Sequence, residues 1–180
     1  MRPDVQALIE INVQALIEII SLPLTTLDRR AGLGYVSDMD EAKMEFGSKA
    51  WTEKLRSVIE EAVAASTEDV DYSISEVYLD PPAHLRGSDV DLGWHARVGG
   101  GRVQFEFTPS ADVDVHVAAD YASILPLARL VCGDDPSRQA ERDRLMGELV
   151  GSGKLQVVGD LSKRPSILDH VHDHMAAVTA

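Results

Sequence analysis

Three short runs between Leu92 and Val117 alternate apolar and polar residues with a period of two. They are Leu92–Val98, Arg102–Thr108 and Asp112–Val117, separated by the breaks Gly99-Gly100-Gly101 and Pro109-Ser110-Ala111. Alternation of this kind predicts half-buried strands, and their order predicts an antiparallel meander. Strand side chains point alternately to opposite sides. Trp94, Ala96, Val98, Val103, Phe105, Phe107, Val113, Val115 and Val117 therefore share one apolar face. His95, Arg97, Gln104, Glu106, Asp112, Asp114 and His116 share a polar one. The apolar face needs a cover, and the rest of the chain must supply it.

Two further strands are expected. Tyr72–Leu79 precedes the three runs and is closed by Asp80-Pro81-Pro82, which cannot continue a ladder. Lys154–Val158 follows them, after Gly151-Ser152-Gly153.

Helical periodicity takes over elsewhere. Residues 3–21 predict a helix with Pro3 in its first turn and no breaker before Pro23. The heptapeptide Val-Gln-Ala-Leu-Ile-Glu-Ile occurs there twice, at Val5–Ile11 and Val13–Ile19. An offset of eight residues turns a helix about 80° past two full turns, so the copies do not stack on one stripe. The apolar positions instead spread over half the circumference, with Asn12 among them. Such a helix is a lid, a dimer seam or a sandwiched core element. Residues 22–37, with Pro23, Gly32 and Gly34, read as an irregular connection, and Asp38–Phe46 as a short helix.

A helix from Ser48, its cap, to Ala65 places Trp51, Leu55, Val58 and Ala62 on one stripe, a natural cover for the sheet. A helix capped at Asp120 or Ser123 reaches Val131, and Pro126 favours Ser123, since a first-turn proline loses no helical bond. Asp135 and Pro136 open another, with Ala140, Leu145, Met146, Leu149 and Val150 as its apolar positions. The final helix starts near Pro165 and lines up Ile167, Leu168, Val171, Met175 and Val178.

A chain of 180 residues with 44% hydrophobic and 26% charged residues is that of an ordinary globular domain, here with an appendage. Chains of this size bury roughly 70% of their unfolded surface, enough for a core or an internal cavity. The net charge of −13 excludes a nucleic-acid footprint and disfavours anionic lipid surfaces. Glu10 and Glu18 interrupt the first apolar stretch, so neither a signal peptide nor stable membrane insertion is expected. Cys132 has no partner for an internal disulfide, which fits a cytoplasmic protein.

Candidate chemistry is thin. His170 and His174 share one side of the last helix while His172 points elsewhere, and two ligands are too few for zinc. His95 and His116 with Glu106, Asp112 and Asp114 form a titratable group, but on the polar face. Gly147–Lys154 mimics a phosphate loop with the wrong spacing and with Leu155 in place of Ser or Thr. Cys132 has no adjacent base. No nucleophile elbow, dinucleotide fingerprint or paired-cysteine spacing is present, so no catalytic residue, metal or cofactor is assigned.

The order of elements resembles the sterol carrier protein type 2 family of lipid-binding domains. The residues that carry this are Asp112–Tyr121 with the helix through Leu130, and above all Gly153-Lys154-Leu155-Gln156-Val157-Val158-Gly159-Asp160. The latter matches the family's closing Gly-Lys-(apolar)-x-(apolar)-x-Gly-Asp strand. The turn Gly100-Gly101-Arg102-Val103 and the helix containing Trp51 also fit. The resemblance spans residues 46–178. It implies an α+β fold, a five-stranded, mostly antiparallel sheet roofed by helices, with an apolar tunnel between the layers. It also divides the chain into an N-terminal helical extension, 1–45, and a lipid-binding domain, 46–180. The extension and the long, charged segment Asp134–Val150 depart from the minimal domain.

On this reading the chain binds a hydrophobic small molecule, such as a lipid, acyl chain or sterol-like compound, without catalysis. The expected walls are Trp94, Phe105, Phe107, Val115, Val117, Leu127, Met146, Val150, Leu168 and Met175, each of which equally suits plain core packing. Two alternatives stay open. One is an enzyme acting on a hydrophobic metabolite, which requires Tyr72, Tyr78, Tyr121 or a histidine of the last helix to point inward as acid or base. The other is an interaction module, a homodimer joined through residues 3–21.

Overall fold

The computed structural model describes residues 43–67, 70–87, 91–160, 164–165 and 167–180. The expected helix at 3–21 and its connection, residues 22–37, lie outside them.

Alternation produces the strands. Tyr72–Leu79 is β1, Gly93–Gly99 is β2, Arg102–Glu106 is β3, Val115–Asp120 is β4 and Leu155–Gly159 is β5. They form one sheet in the order β3-β2-β1-β4-β5. Three of its pairings are antiparallel, and β1 with β4 is parallel. The fold class is therefore α+β with a mostly antiparallel five-stranded sheet.

The meander is corrected. β2 and β3 form a hairpin through Gly100 and Gly101, but the third run leaves β3 and starts its strand only at Val115, beside β1. Residues 107–114 cross the outer face of β2 and β1 to get there. The polar face supplies their moorings. Ser110 N–H donates to Ser75 Oγ at 2.9 Å, and His95 Nδ1 donates to the Thr108 carbonyl at 2.7 Å. Asp114 accepts from the Ser73 N–H at 2.8 Å and from its hydroxyl at 2.6 Å. Arg97 reaches the Asp112 carbonyl and its carboxylate. Ser75 consequently has no exposed surface at all.

The ladder runs tight at two glycines. A Cβ on Gly93 would meet the Glu76 carbonyl oxygen at 2.2 Å, and one on Gly159, with φ +123°, the Asp114 oxygen at 2.0 Å.

The helices cover the other face. α1 is Lys49–Ala65, α2 Tyr121–Ala128, α3 Pro136–Gly151 and α4 Ile167–Val178. α1 lies against β3 and α4; α2 against β4, α3 and α4; α3 against β5. Ser48 caps α1 as expected, its Oγ accepting from Trp51 N–H at 3.2 Å. Trp51, Leu55 and Val58 of the expected stripe are buried, with Ile59 and Val63 beside them. Asp135 and Pro136 open α3 as expected.

α2 differs from its sequence reading. Asp120, at the end of β4, is the cap and accepts from Ser123 N–H at 3.1 Å, so Pro126 falls inside the helix and not in its first turn. The missing proline N–H leaves the Ala122 carbonyl without its helical donor. Both residues are exposed, so water can serve that carbonyl. The helix stops at Ala128, short of Val131.

Of the short helix expected at 38–46, residues 43–46 are not helical. Met44 instead bridges to Thr179, tied by Met44 N–H to the Val178 carbonyl and Ala180 N–H to the Met44 carbonyl, each at 2.8 Å. Phe46 follows as a hub. Its ring lies 4.8 Å from Trp51, 4.6 Å from Tyr78 and 5.6 Å from Tyr121, whose hydroxyl donates to the Phe46 carbonyl at 2.9 Å.

Candidate functional site

Directly paired strand residues point to the same side of a sheet. The register therefore sets out the roofed face in rows. One row is Phe105, Ala96, Ile74 and Val115; the next is Trp94, Glu76, Val117 and Val157. Val103, Val98 and Tyr72 flank them at one end, and Tyr78, Ala119 and Leu155 at the other.

Burial along these rows is uneven. Val115, Ala96, Trp94, Tyr72 and Tyr78 are buried. Ile74 and Glu76, on the central strand, keep accessible surface, as do Val117, Val103 and Phe105. Met146 and Val150 of α3, which packs on β5, are also only partly buried. A central strand flanked on both edges should be the driest part of a roofed sheet. Ile74 and Glu76 depart from that pattern, each keeping part of its surface accessible.

The ten expected wall residues divide accordingly. Trp94, Val115, Leu127, Leu168 and Met175 are packed into the core. Phe105, Val117, Met146 and Val150 pack against that core while retaining surface. Phe107 stands apart, beyond the end of β3 and 43% exposed, with its ring edge-on to Phe105 at 5.6 Å. Phe105 in turn stacks on Trp94, centroids 5.4 Å apart.

The sequence reading passed over Glu76. Its signal was present: Tyr72-Ser73-Ile74-Ser75-Glu76-Val77-Tyr78 alternates like the other strands and places one carboxyl in a row of rings. Tyr78 donates its phenol proton to Glu76 Oε2 at 2.5 Å, and Trp94 Nε1 donates to the Tyr78 oxygen at 3.1 Å. Desolvation by burial raises the Glu76 pKa above the usual carboxylate value; the bonds from Tyr78 and Trp94 and the charge of Arg164 oppose it. Tyr78 is pushed well up by its own burial and by Glu76 beside it.

Tyr72 has a different problem. Its hydroxyl is the one buried side-chain polar atom among the described residues with no hydrogen-bond partner. Burial pushes its pKa up to about 12, against the pull of Arg164. The charge of Arg164 acts in the same direction on Tyr72 and on Glu76, lowering the pKa of both. All three tyrosines named in the enzymatic alternative are buried, Tyr121 by its bond to Phe46.

On the last helix His172 points away from His170 and His174, as the spacing predicts. His170 and His174 are exposed, whereas His172 is partly buried and its Nε2 donates to the Leu130 carbonyl at 3.1 Å. His172, Asp173 and Cys132 bring three potential metal-ligand atoms within 4.8 Å of one another. Their bonding explains them without an ion. Asp173 accepts from the backbone N–H groups of Cys132 at 2.7 Å and Gly133 at 2.9 Å, clamping the α2–α3 loop onto α4. Burial raises the Cys132 pKa, away from the thiolate a metal requires.

A groove of about 360 Å³ lined by Asp71, Tyr72, Ser73, Arg97, Asp112, Val113 and Asp114 opens where the crossing segment meets β1. Its Arg97, Asp112, Ser73 and Asp114 are the moorings already described. No helix among the described residues is long and apolar enough to cross a membrane.

No protein-family model matches the chain, and no curated protein matches it significantly in sequence. Solved structures similar to it include a crystal structure of sterol carrier protein 2, 13% identical over 75% of this chain and 100% of that one, with TM-score 0.47. A second is a UbiJ-SCP2 ubiquinone synthesis protein, 18% identical over 69% of this chain and 94% of that one, with TM-score 0.39. A third, described as possibly a sterol carrier protein, is from Thermus thermophilus, 12% identical over 77% and 93%, with TM-score 0.41. The chain is thus similar to solved sterol carrier protein 2 structures, the family its sequence resembles.

Proposed function

We propose that this protein binds a hydrophobic small molecule, such as a lipid or a long acyl chain, between its sheet and its helices. The observation that carries this is the accessible surface kept by Ile74, Glu76, Val117 and Phe105 on the roofed face. Burying an alkyl chain there contributes about 0.8 kcal/mol per methylene, so apolar walls suffice for affinity. Methionine adapts to guests of different shape, which suits Met146 as a wall. Holding and releasing the guest is the function; no chemistry on it is required. Mass spectrometry of gently purified protein should find a hydrophobic passenger, or a fluorescent acyl probe should saturate at one per chain. A protein that arrives empty and takes no probe refutes the reading.

The Glu76–Tyr78–Trp94 network supports a second reading, an enzyme acting on a hydrophobic metabolite with Glu76 as its acid. A recovered passenger that turns over on incubation distinguishes it from a carrier. The chain's quaternary state is proposed as a homodimer through residues 3–21, on the breadth of their apolar surface. A mass in solution unchanged by removing residues 1–21 rules that out. Residence in the cytoplasm is proposed from the single cysteine.

A further inference from the structure

We propose that the open edge of β3 is a self-complementary contact, at which β3 of one copy pairs antiparallel with β3 of a second copy about Gln104. This rests on the homodimer reading and deepens it. The broad apolar surface of residues 3–21 supplies area, and the β3 edges fix how the two copies meet. Among the described residues β3 ends the sheet, so only one of its sides is bonded to a strand, β2. Gly99 and Arg102 close a two-residue turn, whose Gly100 and Gly101 have φ of +56° and +70°. From that closing pair onward, bonded and non-bonded pairs alternate along the hairpin. Arg102, Gln104 and Glu106 therefore bond β2, while Val103 and Phe105 turn their N–H and C=O groups to the open side. Those groups suit an antiparallel copy of themselves, with Val103 opposite the partner's Phe105.

Charge selects the register. Proteins blunt an open edge with charged side chains, and β3 carries two, the exposed Arg102 and Glu106. They are opposite in sign and equally spaced about Gln104. A copy centred there sets Arg102 against the partner's Glu106 and Glu106 against the partner's Arg102, with no like charges opposed. Registers centred on Val103 or Phe105 keep the bonding pattern but break both pairs. The partly exposed Val103 and Phe105 meet across the same seam. Phe107, 43% exposed, comes to lie beside the partner's turn. A two-fold contact of this kind closes on itself and stops at two copies.

Sedimentation of the full chain over a range of concentrations tests the pairing by charge reversal. Arg102→Glu sets carboxylate against carboxylate at both pairs, and Glu106→Arg sets cation against cation. Each should weaken the dimer about tenfold. The double variant Arg102→Glu/Glu106→Arg restores both pairs with their signs exchanged, and should dimerise like the parent. Both positions are exposed, so the reversals leave the core intact. Single variants that dimerise as tightly as the parent, or a double variant no tighter than the singles, overturn the β3 pairing and leave the homodimer through residues 3–21 standing. A parent that stays monomeric at every concentration overturns both.

Discussion

Burial moves Glu76 and His172 in opposite directions, because desolvation disfavours the charged form of each. Glu76 holds its proton above the pH at which the unfolded chain releases it. Its contribution to stability is present below the ordinary carboxylate range and is lost as pH rises through the folded value. His172 is lowered, by burial first, against the bond to Leu130 and the charge of Asp173. Its contribution is present above about pH 6.5 and is lost as pH falls through the folded value. Urea unfolding across the acid range should therefore separate two variants. Glu76→Gln should gain on the unaltered protein as pH rises from about 4. His172→Gln should have the shallower loss as pH falls below about 6.5. Parallel profiles for all three proteins would mean that neither group titrates differently on folding.

Elements depend on residues at their ends, and the β4–α2 junction is the clearest case. Asp120 closes β4 and caps α2, accepting from the Ser123 backbone and hydroxyl, with Lys154 Nζ 3.5 Å away. Those bonds from Ser123 hold its pKa below the usual carboxylate value. Asp120→Ala should cost about 1 kcal/mol, the usual weight of a cap, while Asp120→Ser should recover most of it. Both are measurable by chemical denaturation, and an alanine variant as stable as the parent would deny Asp120 that role.

The same junction shows what the sequence could reveal. Strands β1, β2, β3 and β5 were legible because alternation is a local property, and α1 and α3 because Ser48 and Asp135-Pro136 are local signals. Pro126 misled because a proline at a first turn and one on the exposed side of a short helix look alike until the cap is known. The parallel placement of β4 was not legible. It depends on residues 107–114 finding Ser73, Ser75, His95 and Arg97 on the outer face, a set of contacts between distant parts of the chain. Glu76 was legible in its strand's alternation, but its bond to Tyr78 and its neighbour across β2 required the register.

Taken whole, the molecule has a packed half and a looser half of one interior. Phe46, Trp51, Tyr78 and Tyr121 interlock at one end, whereas Ile74, Val117 and Phe105 keep part of their surface accessible, as do Met146 and Val150 of α3. Enlarging Val117 distinguishes a guest space from slack packing. With room available, Val117→Phe should leave the unliganded protein within about 1 kcal/mol of the parent, well short of an overpacked core. It should also abolish binding of the acyl probe. In a close-packed interior the same change costs about 1–3 kcal/mol through displaced neighbours. Thermal unfolding reads the other side of the balance. A ligand present at about a hundred times its dissociation constant stabilises the native state by about 2.7 kcal/mol. For a chain of this size that is a rise in Tm of roughly 5–10 °C. The parent should show that rise with hexadecanol and the phenylalanine variant should not. A destabilised variant together with a parent that hexadecanol leaves unmoved would mean that the sheet and helices close on each other completely, with no room for a guest.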